Sequence, residues 1–105
     1  MLIVETLVFT RRVLKLLSDD NYRSLQRFLV ANPEAGDLIR QSGGLRKIRW
    51  SVAGRGKRGG VRVIYYWAPA HEMILMLLMY GKNEQDDLSP EQLRVLKRLI
   101  EEEFS

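Results

Sequence analysis

The sequence predicts an α+β domain: a mainly antiparallel β-sheet with two N-terminal helices packed on one face and a helix at the C-terminus. Three observations predict it. Between Leu45 and Lys82, three runs rich in β-branched and aromatic residues follow one another: Leu45–Val52, Val61–Ala68 and Met73–Tyr80. Ahead of them lie two stretches whose apolar residues recur at helical spacing. After them, Ser89-Pro90-Glu91-Gln92 opens a stretch with the same spacing and has the form of a capping box with proline at the first helical position.

In chain order, Leu2–Val4 reads as a short apolar strand. Thr10 is the expected N-cap of a helix through Leu17, with Val13, Leu14 and Leu17 on one face. Ser18 or Asp19 then caps a second helix to about Asn32, where Pro33 ends it. Its stripe is Tyr22, Leu25, Phe28 and Leu29, and the two helices form a hairpin able to cover a sheet face. Pro33–Gly44 is a loop, with a helical turn expected around Asp37–Arg40. Ala53–Gly60 (AGRGKRGG) has no apolar residue larger than alanine and reads as an exposed hairpin connection. Pro69-Ala70-His71 turns the second hairpin, and Gly81–Leu88 is a polar loop. The last helix carries Leu93, Leu96, Leu99, Ile100 and Phe104 on one stripe, with Ile74 and Met76 as the expected sheet contacts. Glu101–Glu103 sit at the negative end of its dipole, so fraying or a basic partner is expected there.

Pairing Val52 with Val61 and Ala68 with Glu72 sorts the sheet into two faces. One holds Ile48, Trp50, Val61, Val63, Tyr65, Trp67, Met73, Leu75, Leu77 and Met79, and needs cover. The other holds Lys47, Arg49, Arg62 and Tyr80 at one end, with Lys82 in phase, and Ile64, Ile74, Met76 and Leu78 at the other.

With 105 residues the chain is read as a single domain spanning 1–105. No apolar run approaches the length of a spanning helix, and the start MLIVETLVF lacks a basic n-region, so a cytoplasmic, non-membrane protein is expected. The absence of cysteine excludes disulfide and thiolate chemistry, and one histidine, His71 in a turn, excludes the usual zinc sites. No dinucleotide or Walker fingerprint is present. GRGKRGG resembles a phosphate loop in composition only, because no helix follows it. Ser51 has no visible base partner.

The formal charge of +4 is unevenly spread. No acid lies between Asp37 and Glu72, whereas Arg40, Arg46, Lys47, Arg49, Arg55, Lys57, Arg58 and Arg62 do. A one-signed patch interleaved with aromatics and glycines suits a polyanion; a solvated edge guarded by charge is the plainer alternative. Arginine binds phosphate through a planar fork, crowding lowers a lysine pKa toward proton-transfer range, and a tyrosine face can stack a splayed-out base. This set suits RNA cleavage by the RNA's own 2′-hydroxyl, or RNA binding without cleavage.

The order strand–helix–helix–strand–strand–strand–helix, with LRKIRW, GRGKRGGVRVIYYW and MLLMYGKNEQDDLS, resembles the RelE/HigB toxins of bacterial toxin–antitoxin pairs, closest to the HigB-like branch. The resemblance covers nearly the whole chain. It implies a RelE-like fold and a ribosome-dependent mRNA endonuclease that uses no metal or other cofactor. It also implies a cognate antitoxin that holds the toxin inactive. By position, Arg62 in GVRVIYY and Lys82 in YGKN match the family's catalytic arginine and lysine contexts, and Lys47 and Arg49 match its basic pair. Lys57 is the second candidate for proton transfer; Arg55, Arg58 and Tyr80 complete the expected RNA contacts. The chain departs from RelE proper at Asn83, where an arginine is usual, and has no aromatic residue between Lys82 and Phe104. The ParE branch shares this architecture and acts on DNA gyrase, which makes a gyrase inhibitor the alternative.

Overall fold

The computed structural model describes residues 1–51 and 60–104. In chain order the elements are β1 (Leu2–Glu5), α1 (Leu7–Leu16), α2 (Asp19–Ala31), β2 (Asp37–Leu38), β3 (Leu45–Trp50), β4 (Val61–Ala68), β5 (Met73–Gly81) and α3 (Pro90–Phe104), with a 3₁₀ turn at Pro69–His71. The strands form one sheet in the order β1-β5-β4-β3-β2, with β1 parallel to β5 and every other pair antiparallel. The expected α+β architecture is the observed one. Among the described residues no helix is long and apolar enough to cross a membrane.

α1 starts earlier than expected. Thr6, not Thr10, is the N-cap: its hydroxyl accepts from the Phe9 amide (3.1 Å) and donates to the Leu77 carbonyl (2.8 Å). The Thr10 hydroxyl donates instead to Glu5 Oε1 (2.6 Å). Phe9 and Val13 therefore face the sheet, and Leu14, expected inside, is 73% exposed. α2 follows its expected bounds, with the Ser18 hydroxyl accepting from the Asn21 amide and Asn32 at the C-cap. Leu25 and Leu29 are buried, while Phe28 leans on Trp50 at 5.6 Å between ring centroids. α3 keeps its capping box: the Ser89 amide donates to Gln92 Oε1 (2.9 Å) and the Gln92 amide to Ser89 Oγ (3.1 Å). Its helix runs on to Phe104, and of the two alternatives expected at Glu101–Glu103 the structure shows a basic partner, Arg98 pairing with Glu102 one turn away.

The helical turn expected around Asp37–Arg40 is a two-residue strand instead, paired with Lys47 and Arg46. Side chains from the sheet draw this segment in. Arg46 donates to the Glu34 and Gly36 carbonyls, and the buried Tyr65 hydroxyl donates to the Pro33 carbonyl (2.7 Å) while accepting from the Gly36 amide (2.9 Å). A Cβ on Gly36 would lie 2.8 Å from the Tyr65 ring, so glycine is required for this approach. Tyr65→Phe keeps the packing and orphans a buried amide and a carbonyl. It is expected to lower unfolding free energy by about 1–3 kcal/mol in urea denaturation.

The register differs from the expected one in two ways. Val61 pairs with Trp50, two residues from the anticipated Val52, which lies outside the described residues, and an even shift leaves every described residue of that hairpin on its expected face. In the second hairpin Tyr65 pairs with Met76 but Ile64 with Leu78, so Leu77 is an extra residue in a β-bulge. The bulge exchanges the faces of the first half of β5. Ile74 and Met76 join Phe9, Leu25, Leu29, Val63 and Tyr65 under the N-terminal helices. Leu75 and Leu77 turn to the opposite face, where they pack with Leu45, Ile64, Tyr80 and Ile100 beneath α3. Contact of α3 with Ile74 and Met76 is thus corrected to contact with the Leu75–Leu77 side.

β1 accompanies β5 only as far as Met76. Past that point α1 covers the open edge. Thr6 satisfies the Leu77 carbonyl, and Arg12 Nε donates to the Met79 carbonyl (3.1 Å). An edge closed by side chains does not offer itself to another strand.

Candidate functional site

The bulge lies upstream of Leu78, so the far end of β5 keeps the alternation read from sequence. Arg62 pairs with Arg49 on one side and with Tyr80 on the other; Lys47 lies two residues along β3 from Arg49 on the same face. The Lys82 amide donates to the Gly60 carbonyl (3.2 Å), which carries the β4–β5 pairing one residue further. The structure thus brings Lys47, Arg49, Arg62, Tyr80 and Lys82 to one end of one face. Arg55, Lys57 and Arg58 lie outside the described residues.

These side chains are not equivalent. Arg49 and Lys82 are exposed and Lys47 is half-buried. Arg62 is only 6% exposed. Among the described residues its side chain enters no ion pair and no hydrogen bond, and none of their side-chain nitrogens is both sealed from solvent and unbonded. A Cβ on Gly60 would lie 3.8 Å from Arg62 Nη1, which puts the head group beside the start of β4. Like charges directly opposed across a strand pair are unfavourable, and Arg62 faces Arg49. Such an arrangement is poor for stability and well suited to receiving an anion.

Tyr80 has a different place from the one expected. Its ring is 2% exposed, packed among Leu45, Ile64, Leu77 and Ile100, and has no open face for a base to stack on. It forms part of the floor. Its hydroxyl donates to the Asp86 carbonyl (3.3 Å). Burial and then the Asp87 charge raise the phenol above its ordinary pKa, so it stays protonated at neutral pH.

The segment 82–88 is tied down at several points. The Gly81 amide donates to Glu84 Oε1 (2.9 Å), and Arg12 pairs with the same carboxylate. Gln85 Nε2 donates to the Asp87 carbonyl and to Gln92 Oε1, both at 2.8 Å. Asp87 reaches back and pairs with Lys47. The Lys47 hydrogen bond and charge, with smaller contributions from Arg49 and Arg62, hold the Asp87 carboxyl below its ordinary range. Arg12 and then the Gly81 amide do the same for Glu84. Both folded values lie below the unfolded ones. Their contributions are thus complete above the ordinary carboxylate range and vanish as pH falls through the lowered values. Carboxyl titrations by NMR should place both midpoints below those of the same residues in the urea-unfolded chain.

The sequence reading took 81–88 as a plain polar loop and missed Asp87 and Glu84. The adjacent acids Asp86 and Asp87, following a long acid-free window, were the available signal. His71 is exposed and meets the Phe104 ring edge-on at 5.1 Å between centroids. Among the described residues no three His, Asp or Glu side chains come together in a way that would hold a metal ion. No protein-family model matches the chain.

Proposed function

We propose that this face binds the phosphodiester backbone of RNA and promotes its cleavage, the chain acting as a ribosome-dependent mRNA endonuclease toxin kept in check by a cognate antitoxin. One observation carries the reading: a nearly buried arginine, unpaired among the described residues and opposed across the strand pair by a second arginine. A cation that its own fold leaves without a counter-ion is the group expected to meet an external anion. The family resemblance supplies the substrate. In the reaction the RNA 2′-oxygen attacks the adjacent phosphorus, the bond from phosphorus to the 5′-oxygen breaks, and a 2′,3′-cyclic phosphate and a 5′-hydroxyl result. One proton leaves the 2′-hydroxyl and one reaches the departing 5′-oxygen. Arg62 would bind the phosphate oxygens and stabilise their growing charge, Arg49 would hold the neighbouring backbone, and Lys82 would assist proton transfer. Tyr80, kept protonated, supports the floor and is not a base. Lys57 stays a second proton-transfer candidate on the resemblance alone.

The test is cleavage of mRNA on purified programmed ribosomes, with ends mapped by primer extension. Cuts within the reading frame that leave 5′-hydroxyl ends support the proposal. Intact mRNA with salt-dependent RNA binding would reduce it to a non-catalytic RNA-binding module. Intact mRNA together with gyrase-dependent DNA damage in cells would favour the ParE-like alternative. Lys82→Ala is expected to slow cleavage by about 10²-fold, in the range of a lost proton-transfer group, with ribosome binding, read by co-sedimentation, unchanged.

A further inference from the structure

The cationic face carries its own anion. Lys47 is the one member of that face that is ion-paired among the described residues, and its partner, Asp87, comes from a segment across the sheet end. The two side chains are exposed very differently, 22% for Lys47 and 76% for Asp87. The carboxylate therefore approaches the lysine from solvent, the side from which a ligand phosphate must arrive. It also sits in the field of Arg49 and Arg62, neither of which is ion-paired among the described residues. The backbone around it is held independently of the ion pair: Tyr80 bonds the Asp86 carbonyl, Gln85 bonds the Asp87 carbonyl, and Ser89 caps α3 directly beyond. Rotation of the Asp87 side chain can thus release Lys47 without unfolding the loop.

We propose that Asp87 is an internal stand-in for a substrate phosphate, which an incoming polyanion displaces from Lys47 and which sets the affinity threshold of the site. This rests on the reading of the face as a phosphate site and names the residue that selects among its ligands. A lone phosphate ester that fills only the Arg49–Arg62 end leaves Asp87 in place. A chain of phosphates reaches Lys47 as well and exchanges with the carboxylate, so extended nucleic acid is favoured over mononucleotides.

The experiment measures binding of a short, uncleavable 2′-O-methyl oligonucleotide across a salt series. Asp87→Asn should tighten binding by about 3- to 10-fold at low salt, as expected for removing a partly screened competing charge. It should also steepen the log K against log salt slope by about 0.7, the increment for one more phosphate contact on a single strand. Asp86→Asn makes the same change in net charge one residue away and keeps the Tyr80 bond, which uses the main-chain carbonyl; it should have a much smaller effect. In a Lys47→Ala background the Asp87→Asn gain should disappear. Equal shifts from the two asparagine variants, or a gain that persists undiminished without Lys47, would overturn the exchange. Absence of oligonucleotide binding by every variant would instead remove the phosphate-site reading, and the exchange with it.

Discussion

Arg62→Ala is expected to lower mRNA cleavage by about 10²–10³-fold, the usual loss when one preorganised charge donor is taken from a transition state. The protein should remain folded. Arg62 is buried but has no counter-ion among the described residues, and it faces Arg49 directly, so its charge is a burden on the native state. Removing that charge relieves both desolvation and repulsion, offset by the loss of the packed aliphatic stem. Arg62→Met keeps most of that stem and is expected to raise unfolding free energy by about 1–2 kcal/mol, as replacement of buried charge by apolar volume often does. Arg62→Lys should rescue cleavage poorly, because an ammonium has no planar fork for two phosphate oxygens. The two measurements, single-turnover cleavage on programmed ribosomes and urea denaturation, must move in opposite directions for Arg62→Met. A variant that is both less stable and fully active would show that Arg62 is a structural residue.

Phe9→Ala is expected to destabilise the chain by about 3–5 kcal/mol, the range for deleting a fully buried phenylalanine. Phe9 has no solvent exposure and joins three elements: it lies on α1, meets the Tyr22 ring of α2 at 5.8 Å between centroids, and packs into the cluster that includes Val63, Tyr65 and Met76. A loss of that size is a large part of the about 5–15 kcal/mol that holds a typical domain together. The damage should reach the site, since α1 also closes the β5 edge through Arg12 and holds segment 82–88 through Glu84. Urea denaturation gives the stability change. Hydrogen exchange at the Gly81 amide, bonded to Glu84, gives the local one.

What could be read from the sequence depended on contrast along each segment. Across β3 and β4, Lys47, Arg49 and Arg62 alternate with Ile48, Trp50, Val61 and Val63, so one parity puts these three charges together, and they were assigned correctly to one face. The run Met73–Met79 has no such contrast. It is apolar on both faces because it is buried on both, under α1 and α2 on one side and α3 on the other. A one-residue bulge inside it changes nothing that alternation can detect, so Ile74 and Leu75 were exchanged. At α1, Thr6 and Thr10 are both competent N-caps locally; the choice is made by Leu77, far along the chain, whose carbonyl takes the Thr6 proton. Tyr80 was read correctly in phase and wrongly in exposure, because its partners, the Asp86 carbonyl and the cluster that includes Ile100, lie in later segments. Asp87 was missed for a related reason: its significance lies wholly in Lys47, 40 positions away in sequence.

The parallel pairing of β1 with β5 also sets an order of assembly. Leu2 lies beside Met73 and Glu5 beside Met76, so β1 waits for β5, the last of the described strands, before it has a neighbour in the sheet. Contacts between such distant parts of a chain form late and slow folding. Until β5 emerges, the cluster of Phe9, Leu25 and Leu29 lacks Ile74, Met76 and Met79, and the nascent chain shows that apolar surface. The hairpins from Leu45 to Gly81, by contrast, are built from adjacent segments and can close early. A sealed core is therefore reached only once β5 and α3 have been synthesised, and until then the unfinished chain is exposed to chaperones and proteases.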